Sequence, residues 1–129
     1  MAGMDHMTRQ PRRRAYWAGR RAEMIAAALL RLKGYRILAR DYRAGVGELD
    51  IVARRGQLLA VVEVKRRRDM ASALAAVTMR QQRRIARATE AFMTRHQGVA
   101  GLAVRFDVIV VLPHRPPRHL KDAWRPEAM

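Results

Sequence analysis

No cysteine occurs among the 129 residues, which excludes disulfides and thiolate metal sites and suits a reducing cytoplasm. Acid is scarce: 11 Asp and Glu stand against 27 Lys and Arg, a formal charge of +16. Such a surplus, most of it arginine, favours polyanions, nucleic acid first and anionic membrane second. Long apolar runs are missing too. The longest, around Met24 to Leu30, is far too short to span a bilayer, and the N-terminus lacks the apolar core of a secretory signal. The chain reads as soluble, with no membrane association. Its histidines (His6, His96, His114 and His119) lack metal-ligand spacing and are assigned no chemistry. No internal repeat is visible.

What remains is a chain with 50% hydrophobic residues, enough for one domain and little more. Residues 1–14, with Arg9, Arg12, Arg13 and Arg14, read as a flexible basic arm. Residues 15–112 hold the ordered domain. Residues 113–129, with Pro113, Pro116, Pro117 and Pro126, read as a proline-rich basic tail without much regular structure.

Within the domain, Tyr16 to Lys33 predicts a helix whose buried stripe is Ile25, Ala28, Leu29 and Leu32, with Gly34 as its stop. Tyr35 to Arg43 predicts a strand. Ser72 is the expected N-cap of a second helix running to about His96, with the stripe Leu74, Val77, Gln81, Ile85, Ala88 and Phe92. Val104 to Leu112 is a continuous apolar run, as in a strand covered on both faces. The order predicts an α/β fold, α-β-β-β-α-β, with a mixed sheet flanked by helices on both faces.

The most informative segment lies between these elements. Gly47 to Ala53 and Leu58 to Lys65 read as two apolar strands of a hairpin that carry Glu48, Asp50, Glu63 and Lys65. An ionised carboxylate buried without a partner costs several kcal/mol or shifts its pKa, so acids placed among aliphatics attract functional readings. A two-residue turn at Gly56-Gln57 sets Arg55 opposite Leu58, Asp50 opposite Glu63, and Glu48 opposite Lys65. A turn at Arg55-Gly56 sets Glu63 opposite Glu48 and diagonal to Asp50. Either register gathers the four side chains on one face, with Leu49 and Ile51 together on the other. A cross-strand ion-pair network and a metal site both fit this pattern.

Asp50, then Glu63-Val64-Lys65 thirteen residues on, within this order of elements, resembles the PD-(D/E)XK nuclease superfamily. The matching residues also include Glu23 in the first helix, Gly34, Gly47-Glu48-Leu49-Asp50, Val77 and Arg105-Phe106-Asp107-Val108-Ile109. Together they resemble the YraN-like family of small endonuclease-like proteins, related by motif to Holliday-junction resolvases. The resemblance implies a restriction endonuclease-like core and a nuclease-like domain over 15–112.

It further implies Mg²⁺- or Mn²⁺-dependent hydrolysis of nucleic-acid phosphodiesters, with DNA favoured over RNA and branched or junction DNA among the substrates. Asp50, Glu63 and the carbonyl of Val64 would hold the cation, and Lys65 would position water or stabilise charge on phosphate. Glu23 completes the catalytic set, with Glu48 and Gln81 in support. Gln81 stands where the family pattern carries lysine. Arg66, Arg67 and Arg68, and the helical stripe containing Arg80, Arg84 and Arg87, are the candidate phosphate contacts. A homodimer is compatible with this pattern but not demanded by it. The alternative is a non-catalytic nucleic-acid-binding protein that retains the fold.

Overall fold

The computed structural model describes residues 18–126; the basic arm expected at 1–14 and the helix start at Tyr16 lie outside them. The chain is helical over 18–32 (α1). Then follow β1 (Arg36–Ala44), β2 (Gly47–Arg55), β3 (Leu58–Arg66), α2 (Met70–Ala75), α3 (Met79–Arg95), a 3-10 turn (Gln97–Val99), β4 (Ala103–Val111) and β5 (Arg118–Trp124). The strands lie side by side in chain order as one five-stranded sheet. All neighbours are antiparallel except β3 and β4, which are parallel. A parallel pair needs a crossover, and α2 and α3 supply it.

The central hairpin forms by the first of the two expected registers. Arg55 pairs with Leu58, and Gly56 takes a left-handed φ of 61° in the two-residue turn between them. Helices cover both faces. On one side Ala26, Ala27 and Leu30 of α1 pack on Ile51, Ala53, Ala60, Val62 and Ile109. On the other, Ile85, Ala88 and Phe92 of α3 pack on Val52, Val61, Val108 and Val110. Strand β4 is buried on both sides over 106–110, with Asp107 the one charged residue in that stretch.

Four expectations are corrected. The buried face of α1 is not Ile25, Ala28, Leu29 and Leu32: Ala28 is exposed and Leu32 is 86% exposed. Ala22, Glu23, Ala26, Ala27 and Leu30 face inward instead. Small side chains let helix and sheet approach closely, so alanine rather than bulk marks the contact face.

The second helix is two helices. Asp69, not Ser72, caps α2 by accepting the Ser72 N–H at 2.7 Å. Thr78 caps α3 by accepting the Gln81 N–H at 3.2 Å, which breaks the helix at Val77 and leaves Leu74 exposed. The segment after Leu112 is not without regular structure, because β5 pairs with β4 along its edge. Finally, Leu49 and Ile51 do not share a face. Leu49 joins the α3 side and Ile51 the α1 side, so side-chain alternation slips at Asp50.

Candidate metal and nucleic-acid site

The slip at Asp50 builds the site. Regular β2–β3 pairing ends at Ile51 and Val62. Beyond it, the Val64 N–H donates to Asp50 Oδ2 at 2.8 Å. The carboxylate thus binds the neighbouring strand, as at a bulge, where an unpaired residue re-aims its side chain. It also brings Asp50 against Glu63, the buried acid of β3.

Lys65 Nζ lies 3.6 Å from Glu63 Oε1, and Gln81 of α3 donates its Nε2 to the same oxygen at 3.3 Å. Burial pushes the Glu63 carboxyl up to about 9, and the charge of Asp50 beside it adds to the rise, while Lys65 opposes it. Asp50, Glu63, Lys65 and Gln81 are therefore brought together. Gln81 bonds a carboxylate rather than backbone, and its Oε1 is buried without a hydrogen-bond partner.

Glu48 is not part of this group. Its side chain is exposed and pairs with Arg43, its cross-strand neighbour, at 3.6 Å. The cause is the same slip, which removes Glu48 from the face carrying Glu63 and Lys65.

The rotation of α1 carries Glu23 inward, where it is 8% exposed and accepts from Arg40 Nε at 3.3 Å. Arg20, three residues before Glu23 on α1, lies 3.8 Å from Asp41. Burial raises the Glu23 pKa, Asp41 raises it further, and Arg40 opposes both. Glu23 and Asp50 line a single cavity of about 590 Å³, together with Asp41, Arg20, Arg43, Arg66 and Arg67. Arg68 is exposed and outside that lining; Arg80, Arg84 and Arg87 are exposed on α3. Sequence reasoning passed over Arg20, Arg40, Asp41 and Arg43 as site residues. Only the inward turn of Glu23 marks them, and that rested on alanine packing.

Among the described residues, no three His, Asp or Glu side chains gather closely enough to hold a metal ion by themselves. Mg²⁺, however, keeps several waters and is held by one or two carboxylates plus substrate phosphates. Two touching carboxylates and the orphaned Gln81 carbonyl are hard oxygen donors, and a divalent cation offsets both the burial that chiefly raises Glu63 and the Asp50 repulsion that adds to it. The residues fit such an ion.

A second polar cluster lies on the α1 side of β4. Asp107 is fully buried and accepts from Arg105 Nε and Nη2 at 2.7 Å each, and from the Asp122 N–H at 3.0 Å. His119 Nε2 donates to it at 2.8 Å, while His119 Nδ1 accepts from Lys33 Nζ at 2.9 Å. Arg105 also donates to the Tyr35 hydroxyl at 2.6 Å. Every lone pair is used, so this network joins β5 to the core rather than offering a site.

These features define a small, strongly basic α/β protein with an acid pair, one lysine and an arginine-lined cavity at one end of its sheet. Residues 22–111 match the Uncharacterised protein family UPF0102, and the chain belongs to that family, the YraN-like one. It is similar to the UPF0102 protein of Parvibaculum lavamentivorans, 53% identical over 112 residues that span 87% of this chain and 84% of the relative. The UPF0102 protein of Chelativorans sp. is 46% identical over 121 residues, 94% of this chain and 98% of that protein. The one from Caulobacter vibrioides is 50% identical over 106 residues, 82% and 85% of the two chains. No helix among the described residues is long and apolar enough to cross a membrane.

Proposed function

We propose that this protein is a metal-dependent endonuclease that hydrolyses nucleic-acid phosphodiester bonds, with DNA favoured over RNA and branched DNA among its substrates. The observation that carries the reading is the contact of Asp50 with Glu63, with Lys65 Nζ 3.6 Å from the latter. The element order and the break in β2 at Asp50 support a restriction endonuclease-like core.

Asp50, Glu63 and the carbonyl of Val64 hold Mg²⁺ or Mn²⁺. When bound, such an ion supplies Lewis-acid stabilisation of the phosphate and an acidified water. Lys65 orients the attacking water or meets negative charge on the phosphate. Glu23 reaches from α1 into the cavity that Asp50 and Val64 line and orders a water there. Arg43, Arg66 and Arg67 line the approach and take phosphate oxygens, the task for which arginine's planar fork is suited.

The deciding experiment is cleavage of single-stranded, duplex and four-way DNA in Mg²⁺ or Mn²⁺. Asp50→Asn and Lys65→Ala are each expected to lose activity by about a hundredfold or more. Equal activity in wild type and both variants would sink the assignment. A non-catalytic binder is the second reading, favoured by the absence of a third converging acid among the described residues. It predicts salt-sensitive binding that neither chelator nor Asp50→Asn alters.

A further inference from the structure

We propose that the exposed face of α3 and the cavity at its C-terminal end form a second nucleic-acid contact, which grips the phosphate backbone one helix length away from the acid pair. This inference rests on the nucleic-acid reading above, but not on hydrolysis. At its N-terminal end, α3 touches the acid pair through Gln81. From there Arg80, Arg83, Arg84 and Arg87 run along its exposed face. None of the four makes an ion pair among the described residues. Glu90 is the single acid in Met79–Arg95.

The helix ends at a cavity of about 350 Å³ lined by Arg36, Arg54, Phe92 and His96, with no acid in its wall. Arg36 and Arg54 are direct cross-strand partners. Like charges directly opposed on an antiparallel pair are destabilising, and an anion between them removes that cost. His96 stacks on Phe92 with ring centroids 4.1 Å apart. Its Nδ1–H donates to the Phe92 carbonyl at 2.8 Å, which fixes the ring in the cavity wall.

Seventeen residues of α3 extend about 25 Å at the usual helical rise. One strand of a duplex places a phosphate about every 3.4 Å along its axis, so the track spans roughly seven of them. A regular polyanion fits this series of arginines better than an acidic protein segment, whose charges have no fixed repeat.

The test is equilibrium binding of the full chain in chelator, over a salt series, to duplexes of 6 and 16 base pairs in DNA and RNA forms. Wild type is compared with Arg36→Gln/Arg54→Gln, with Arg83→Gln/Arg87→Gln, and with Arg31→Gln/Arg125→Gln, which removes equal charge elsewhere. Circular dichroism confirms folding. The slope of log affinity against log salt is expected to fall by about one per lost phosphate contact for both track variants and to stay unchanged for the control. The Arg36/Arg54 pair should matter on the 16-base-pair duplex and not on the shorter one.

Equal loss in the control, or an unchanged slope in the track variants, overturns the proposal while leaving the nuclease reading intact. Binding of an acidic polypeptide such as polyglutamate with the same variant pattern overturns it in favour of a protein partner. Absence of any salt-sensitive nucleic-acid binding by wild type overturns both readings. A track that holds while cleavage is indifferent to Asp50→Asn discards the nuclease reading alone.

Discussion

Gln81 gives its amide N–H to Glu63 at 3.3 Å while its own carbonyl oxygen is buried without a partner. One end of the side chain thus serves the acid pair and the other is desolvated for no return within the protein. A buried, unsatisfied acceptor costs about 1–3 kcal/mol. Replacing Gln81 with lysine removes the orphaned carbonyl and sets an ammonium against Glu63. Gln81→Lys is therefore expected to raise the melting temperature in chelator at pH 8 and to weaken Mn²⁺ binding, both readable in a thermal-shift titration. An unchanged melting temperature would show that the orphaned oxygen carries no cost.

Glu63 sets the pH response of the metal-free protein. Burial first, and then Asp50, holds its carboxyl protonated up to about 9, against an ordinary value of 4.5. The unfolded chain releases this proton at the lower value and the folded chain at the higher. The stabilising contribution is therefore complete below 4.5 and is lost as pH climbs toward 9. Urea unfolding in chelator should show stability falling across that window, by an amount on the order of a few kcal/mol. Glu63→Gln should flatten the fall. Added Mg²⁺ or Mn²⁺ should stabilise wild type more at the alkaline end, because the ion competes with the proton.

The hairpin was legible because a turn glycine and two apolar runs admit few registers, and Arg55 opposite Leu58 followed. The slip at Asp50 was not. A bulge is a local choice between backbone and side-chain acceptors for the Val64 N–H, and nothing in Gly47-Glu48-Leu49-Asp50 states which wins. The pairing of Glu48 with Lys65 failed for that reason.

On α1, helical spacing through the bulky Ile25, Leu29 and Leu32 carried Ala28 into the expected stripe, whereas closeness of packing chose Ala26, Ala27 and Leu30. That rotation decides whether Glu23 is a surface acid or part of the cavity. In β5, the prolines that precede it hid a strand held by Asp107 and His119, a contact made across the fold and invisible in either local sequence.

Asp107 is the group on which β5 depends. Burial alone would push its carboxyl up, yet hydrogen bonds from His119, Arg105 and the Asp122 backbone outweigh this and hold it below its usual 3.8. With the folded value depressed, the contribution is complete above 3.8 and lost as pH falls through the folded value. Acid unfolding of wild type should therefore set in below about pH 4. Asp107→Asn strands Arg105 and His119 in the interior and is expected to cost about 3–5 kcal/mol in urea at neutral pH. A cost below 1 kcal/mol, on the order of that for an exposed ion pair, would show that β5 is held by apolar packing such as Trp124 on Phe106.

Gly47 couples the stability of α3 to the site. A Cβ at this position would lie 2.7 Å from the Arg84 carbonyl oxygen and 3.3 Å from the Arg84 Cβ. The obstacle is helix backbone, so relief requires α3 to move away from β2 as a body. Overpacking of this kind costs about 1–3 kcal/mol. The displacement also draws Gln81, three residues before Arg84, away from Glu63. Gly47→Ala should therefore lower the urea midpoint and, in the same protein, reduce the alkaline stabilisation by Mn²⁺ expected for wild type. Gly45→Ala serves as the comparison, since a Cβ there meets nothing within 4 Å. If Gly47→Ala loses stability but keeps full Mn²⁺ response, the helix supports the sheet without positioning the acid pair, and Gln81 is a packing residue.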